Sequence, residues 1–433
     1  MRKQDLARNL AYSITQSDWS ARTVEAALRR RLPASLQNSV RALATGIVDS
    51  LPSRYAPPPQ RVAEHLLILA AFGRIWRSCA RIGVWPAPDL SAPDMAPIDS
   101  FARLDLPHIA TTTALADWLF VPPDRLSYLA DPQHRHERHE EMVVNHYHYH
   151  LHPKRNGSLR LVEAPKPGLK AIQRQILHGI LDAVPAHPDA FGFVKTRTCL
   201  HAAGRHAGED TVLRFDLKDF FPSIYAGRIF GFFRCLGYPH EVSRLLTSLC
   251  TTATPPRVLE RLPGDQRPTY RAPHLPQGAP TSPALANQMC HGLDRRLAGL
   301  APRLGANYSR YADDLSFSGD ARIVPTLTKA VPDIVAAEGF RLNPAKTKVM
   351  RHGARQVVTG IVVNTHLNVD RKTYDHLKAV IHACGNPEDP RLTDPAFRAS
   401  LLGKIGWVET VNPPRGQKLR RLLAKSWERR FPG

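Results

Sequence analysis

Cysteine is scarce in this chain, at six in 433 residues. None of Cys79, Cys199, Cys235, Cys250, Cys290 and Cys384 stands in a C-x-x-C pair, so the usual zinc-finger and thioredoxin-like signatures are missing. Six thiols are also too few for a disulfide scaffold at this length, and a reducing, cytoplasmic compartment is expected. Acidic side chains are under-represented: 38 Asp and Glu face 59 Lys and Arg, for a net charge of +21. Long apolar runs are missing too. The greasiest stretch, Val62 to Ile82, is interrupted by Glu64, His65, Arg74, Arg77 and Arg81, and the N-terminus shows no apolar leader segment. Neither a membrane span nor a signal peptide is expected. What is present is a 43% hydrophobic chain, which excludes bulk disorder and suffices for two to four domains with cores of their own. The positive excess points to a polyanionic partner, nucleic acid ahead of anionic membrane.

The first hundred residues read as short helices separated by proline. Asp18 is placed to cap a helix running to Leu32, Leu36 to Leu51 forms a second, and Val62 to Ile82 a third. Val84 to Pro97 carries Pro86, Pro88, Pro93 and Pro97 without periodicity, a linker signature. Thr113 to Ala130 is helical, and His146, His148, His150 and His152 alternate, so they share one strand face; His134, His136 and His139 precede them. Beyond this point strands and helices mix. Ser158 to Glu163, Thr211 to Leu217, Tyr308 to Ser318 and Gln356 to Asn364 are strands, and Leu169 to Val184 is a helix. Ser282-Pro283 starts another with its hydroxyl at the N-cap and a buried stripe of Leu285, Met289, Leu293 and Leu297. The class is α+β.

Two strand-like segments carry acids where apolar residues are expected, Arg214 to Phe221 around Asp216 and Asp219, and Tyr311 to Phe317 around Asp313 and Asp314. Bare carboxylates about 4 Å apart repel by roughly 4 kcal/mol at an effective dielectric near 20. A protonated acid, a nearby Lys or Arg, or a divalent metal must offset that. An all-oxygen ligand set suits a hard cation such as Mg²⁺, and buried acids in a basic protein point to phosphoryl transfer on nucleic acid.

In order along the chain, Phe215 to Ile224 (FDLKDFFPSI), Leu275 to Asn287 (LPQGAPTSPALAN) and Tyr311 to Asp314 (YADD) resemble the three palm motifs of a reverse transcriptase, more closely a bacterial retron-type one. Lys154 to Pro165 (KRNGSLRLVEAP) and Leu169 to Ile180 resemble the fingers strand pair and following helix, and Phe191 to Lys195 (FGFVK) follows in family order. Ala337 to Lys348 and Val357 to Asn364 (VVTGIVVN) resemble the later palm motifs, and Gly403 to Pro413 the thumb. One departure stands out: the family's Asn-Ala-x-x-His is Ala202-Ala203-Gly204-Arg205-His206 here, so the His is kept and the Asn is not.

The resemblance implies a right-hand polymerase with fingers, a palm with an antiparallel catalytic sheet, and a helical thumb. Residues 1–99 would be a helical N-terminal extension and Pro-rich linker, 100–210 fingers with the preceding helical segment, 211–365 palm with part of the fingers at 225–280, and 366–433 an RNA-binding thumb. It implies that Asp216, Asp313 and Asp314, with the Leu217 carbonyl, hold two Mg²⁺ ions, Asp314 less directly. Lys154 or Arg155, with Arg160, would hold the triphosphate. Gln277 and Gly278 would line the nucleotide pocket, together with Lys218, Asp219, Phe220 and Phe221, the last as a ring that clashes with a 2′-hydroxyl. Lys346 or Lys348 would protonate the leaving pyrophosphate. His206, Lys404, Arg415, Lys418, Arg421 and Lys425 would contact RNA, the last five on a basic amphipathic segment interleaved with Trp407, Leu419, Leu422, Leu423 and Trp427. The implied partners are a structured noncoding RNA template, its DNA product, deoxynucleoside triphosphates and an effector protein in antiphage defence. A group II intron-like enzyme and a non-catalytic RNA-binding protein with a polymerase fold are the competing readings.

Overall fold

The structure is a computed structural model that describes residues 1–15, 19–52, 57, 59–86, 94–132, 145–153, 159–386 and 388–430. They form two compact units, residues 1–184 with 224–282, and residues 185–223 with 283–433. Helices and antiparallel sheets are mixed, as the α+β class requires. Among the described residues no helix is long and apolar enough to cross a membrane.

The first unit opens with five helices, α1 (Lys3–Thr15), α2 (Ala21–Arg31), α3 (Gln37–Ser50), α4 (Pro59–Ile68) and α5 (Ala70–Ile82). Leu6, Leu10 and Ile14 recur every fourth residue on α1 and meet Leu28, Leu43, Ile47, Leu66 and Phe72 in a core belonging to these helices alone. The cap of α2 is Ser20 rather than Asp18, which lies outside the described residues; Ser20 and Thr23 exchange side-chain and backbone bonds in a capping box. The single helix expected over Val62 to Ile82 is two. Leu69 is extended between them (ψ 128°), which lets α4 pack on α1 and α5 on α3, and Lys3 Nζ donates to the Leu67 carbonyl at the break (3.2 Å). The end of the Pro-rich segment is docked, with the amides of Ala96 and Ile98 bonded to the carbonyls of Gly237 and Cys235.

The expected helix over Thr113 to Ala130 is likewise split, into α6 (Thr112–Trp118) and α7 (Pro123–Ala130), because Pro122 and Pro123 cannot continue a helix from the preceding turn. Strands β1 (Tyr147–Pro153) and β2 (Leu159–Pro165) form an antiparallel hairpin. His148, His150 and His152 share its exposed face with ring centroids 6.5 and 6.4 Å apart, and His146 precedes the strand, bonded to the Tyr128 carbonyl. His134, His136 and His139 lie outside the described residues. Helix α8 (Pro167–Gly179) follows.

The second unit is built on strands β3 (Thr211–Asp216), β4 (Asn307–Tyr311), β5 (Asp314–Gly319) and β6 (Lys348–Arg351), antiparallel in the order β4-β5-β3-β6. The stripe Leu285, Met289, Leu293 and Leu297 is buried as expected, across two helices broken at Cys290. The Ser282 hydroxyl, expected to cap, instead donates to the Pro276 carbonyl (2.6 Å). The single strand expected over Gln356 to Asn364 is a small hairpin, β7 (Val357–Val358) and β8 (Ile361–Val362). Its turn residues Thr359 and Gly360 both take positive φ, 51° and 84°, the geometry of a primed two-residue turn. Three C-terminal helices, Arg371–Ala383, Pro395–Val411 and Pro413–Arg430, complete the unit. Leu419, Leu422 and Leu423 pack with Ile405, Val408 and Val212 of β3. Trp407 and Trp427, expected in that stripe, remain 44% and 37% exposed.

Candidate active site

Antiparallel pairing of β3 with β5 sets Asp216 directly opposite Asp314, and the β4–β5 turn brings Asp313 beside them, its carbonyl accepting from the Leu217 amide at 2.9 Å. Like charges at facing positions repel, and this arrangement persists because two cations face it. Arg214, two residues before Asp216 and so on the same side of β3, grips Asp314 with Nη2 at 2.7 and 2.8 Å from the two carboxylate oxygens and Nε at 3.0 Å. Lys346 Nζ donates to Asp216 Oδ2 at 2.8 Å, carried there by a segment whose Asn343 amide bonds the Asp216 carbonyl. Of the compensations open from the sequence, Arg and Lys are both present. Asp313 has neither clamp. Burial, then the charges of Asp314 and Asp216, push its carboxyl up to about 6. Burial also raises that of Asp314, against the pull of Arg214.

A buried network holds the turn in shape. Ala312 sits at φ 56°, a left-handed conformation costly for a residue with a Cβ. Arg310, with no exposed surface, donates to the Ala312 carbonyl (3.1 Å), to Asn287 Oδ1 (3.0 Å) and through Nε and Nη2 to Asp294 (2.8 and 2.7 Å). Burial opposes the guanidinium charge, but Asp294 more than offsets it, so the proton is held more tightly than usual. Tyr308 also donates to Asp294 (2.8 Å). Behind the turn, a Cβ on Gly192 would strike the Ala312 amide, and the Gly192 carbonyl accepts from Asn287 Nδ2 (2.9 Å). Sequence reasoning missed Arg310 and Asp294; the available signal was an arginine between Ser309 and Tyr311 in a strand leading to the Asp pair, which needs an acid to be buried.

Phe220 is core, its ring 6.3 Å from Phe340. Phe221 is half-buried, 6.0 Å from Phe193. Asp219 takes a positive φ of 50°, Lys218 is exposed, and Lys348 lies exposed on β6.

In the first unit, Gly278 at φ 135° would place a Cβ 2.9 Å from the Glu163 carbonyl of β2, so glycine is required there by protein backbone. The Gln277 carbonyl accepts from the Glu163 amide (2.8 Å). The Glu163 side chain, fully buried, accepts from Thr254 (2.6 Å) and meets His274 Nε2 (2.9 Å), while His274 Nδ1 faces the Ala272 carbonyl. A carbonyl only accepts, so Nδ1 carries a proton and Glu163 and His274 share another. Arg160 is exposed opposite His152. Lys154 and Arg155 lie outside the described residues.

Residues 152–377, over half the chain, match the family described as reverse transcriptase (RNA-dependent DNA polymerase). The chain belongs to the reverse transcriptase family. It is 42% identical over 284 residues to the Retron Mx65 reverse transcriptase of Myxococcus xanthus, covering 64% of each chain. To the Retron Mx162 reverse transcriptase of the same organism it is 41% identical, over 72% of this chain and 66% of the relative. The Retron Ec86 reverse transcriptase of Escherichia coli is 35% identical, over 53% of this chain and 68% of the relative. The chain thus spans just under two thirds of the two Myxococcus proteins.

In this member of the family the three Asp side chains fit a hard divalent cation in chemistry: oxygen donors only, drawn together against their own repulsion. In the arrangement seen, Arg214 and Lys346 engage two of the three, and among the described residues no three His, Cys, Asp or Glu side chains converge as ligands. The expectation for His206 needs correction. Its ring is fully buried, with Nδ1 2.8 Å from Ser318 Oγ and Nε2 2.7 Å from Ser309 Oγ, so it ties its segment to β4 and β5 and has no surface for RNA. Burial, then Arg205, lowers its pKa to about 3. On the C-terminal helices Lys404, Lys418, Arg421 and Lys425 are exposed. Arg415 is half-buried over the Tyr374 ring and bonded to Asn368.

Proposed function

We propose that this reverse transcriptase copies a cognate structured noncoding RNA into DNA as a retron-type enzyme, giving a branched RNA–DNA product. The observation that carries the reading is the Asp216, Asp313 and Asp314 group set on facing strands and a braced turn, with Lys346 beside it. Two Mg²⁺ ions held by Asp216, Asp313 and the Leu217 carbonyl, with Asp314 more loosely engaged, would activate the primer hydroxyl and neutralise the departing pyrophosphate. Lys346, rather than Lys348, delivers a proton to that pyrophosphate, since its ammonium already stands at the carboxylates. The Phe221 ring excludes a ribose 2′-hydroxyl. Gln277 and Gly278 line the nucleotide pocket, and Arg160, Lys154 and Arg155 hold the triphosphate, Arg by a bidentate fork.

The exposed cations of the last helices grip RNA largely through phosphate and 2′-hydroxyl contacts. A cytoplasmic setting, an effector partner and a role in antiphage defence complete the reading, by likeness to retron enzymes. The test is to purify the protein from its native locus and sequence the bound nucleic acid after RNase and debranching treatments. A discrete short DNA linked to RNA supports the proposal. RNA alone, in a preparation that incorporates no deoxynucleotides with Mg²⁺, overturns it in favour of a binding protein.

A further inference from the structure

The N-terminal helices have a face that the polymerase reading does not use. Residues 1–82 hold 13 Lys and Arg against 5 Asp and Glu. Arg74, Arg77 and Arg81 on α5 are all exposed. At 100° per residue these three fall within a sector of about 60° and are spaced about 4.5 and 6 Å along the helix axis. The other exposed positions before the last residue of α5 are Ala70 and Ala80, and the helix contains no acid.

Two other exposed arginines of this unit are matched by local acids, Arg29 with Glu25 and Arg244 with Glu241, each at 2.7 Å. The α5 arginines have no ion pair or side-chain hydrogen bond among the described residues. Stacked like charges at i, i+3 and i, i+4 destabilise a helix by themselves. Here they are held because Phe72, Ile75 and Cys79 anchor the opposite face in the five-helix core.

We propose that the outer face of α5 is an RNA phosphate-backbone contact, made by Arg74, Arg77 and Arg81. The inference rests on the reading of the chain as an RNA-handling enzyme. Guanidinium suits phosphate because its fork donates two parallel hydrogen bonds and it dehydrates at low cost. Alanine at the flanking positions leaves the row unobstructed. With no group on this face shaped to read a base, the contact is sequence-tolerant and strengthens binding without selecting the template.

The experiment uses the full chain and a labelled stem–loop RNA of arbitrary sequence, with affinity measured from about 50 to 200 mM salt. The triple variant Arg74→Gln, Arg77→Gln, Arg81→Gln should bind at least about 10-fold more weakly at the low-salt end. Its log–log salt slope should be shallower by about 2 to 3, since each phosphate that is no longer neutralised keeps its counterion. The triple Arg→Lys variant should keep the wild-type slope. Extension of a short RNA-templated primer at saturating concentration should match wild type in both. An unchanged affinity and slope in the Gln variant overturns the proposal, as does loss of binding to anionic phospholipid vesicles with RNA binding intact. A wild-type chain that binds RNA with the full slope yet makes no DNA would defeat the polymerase reading and leave this contact standing.

Discussion

Arg310 donates to the carbonyl of Ala312 at 3.1 Å while both its remaining faces are taken up by Asp294 and Asn287. The residue that closes the left-handed turn before the Asp pair is thereby held by a guanidinium that cannot swing away. Replacing Arg310 with Met leaves a buried carboxylate unpaired, at a cost of about 3–5 kcal/mol. Adding Asp294→Leu should recover most of that stability, because two apolar groups can replace a buried pair. Polymerisation should remain low in the double variant, as a fall in kcat with little change in nucleotide KM, since the turn has lost its donor. Thermal unfolding with steady-state kinetics checks both. Full activity in the stable double variant would show that Arg310 acts only on stability.

Lys346 and Lys348 are separated by one residue and differ in what they face. Lys346→Ala should lower kcat about 10- to 100-fold, whereas Lys348→Ala should leave it near wild type. The reverse pattern would move the proton donor to Lys348.

Phe221 packs on Phe193 while Phe220 is buried against Phe340. Phe221→Ala should admit ribonucleotides at least about 10-fold more readily relative to deoxynucleotides, and Phe220→Ala should cost about 3–5 kcal/mol of stability without relaxing the choice of sugar. Competition assays between the two nucleotide classes decide it. Unaltered discrimination in Phe221→Ala removes the ring from that role.

His206 makes the fold sensitive to acid. Its folded pKa, about 3, lies below the ordinary 6.5, so below pH 6.5 the unfolded chain takes up a proton that the folded chain refuses. The stability contributed is full above pH 6.5 and is lost as pH falls toward 3, amounting to about 2 kcal/mol between pH 6.5 and 5. His206→Gln, which can still bond the two serine hydroxyls, should lack that part of the pH slope. Denaturant unfolding at pH 5 and 7 measures it, and equal slopes in the two proteins would contradict the assignment.

The grouping of Asp216, Asp313 and Asp314, the strand carrying Asp216 and the buried stripe from Leu285 to Leu297 were legible because acids among apolar residues and fourfold periodicity are local signals. The break at Leu69 was not, because both helices share one apolar period and only their packing partners differ. Thr359-Gly360 hid a hairpin within a run of β-branched residues. Arg214, Arg310 and Glu163 escaped notice because each is explained by a partner far along the chain, Asp314, Asp294 and His274 respectively. His206 was misread for the same reason, its two serines lying more than a hundred residues away.

The most direct measurement is incorporation of labelled deoxynucleotides on a primed RNA template with Mg²⁺, comparing wild type with the double variant Asp313→Ala, Asp314→Ala, and RNA affinity measured in parallel. Wild type should carry out RNA-templated synthesis, the double variant should fall by at least about a thousandfold, and RNA affinity should agree within about twofold between them. Synthesis that persists in the double variant would contradict the assignment of these carboxylates to catalysis.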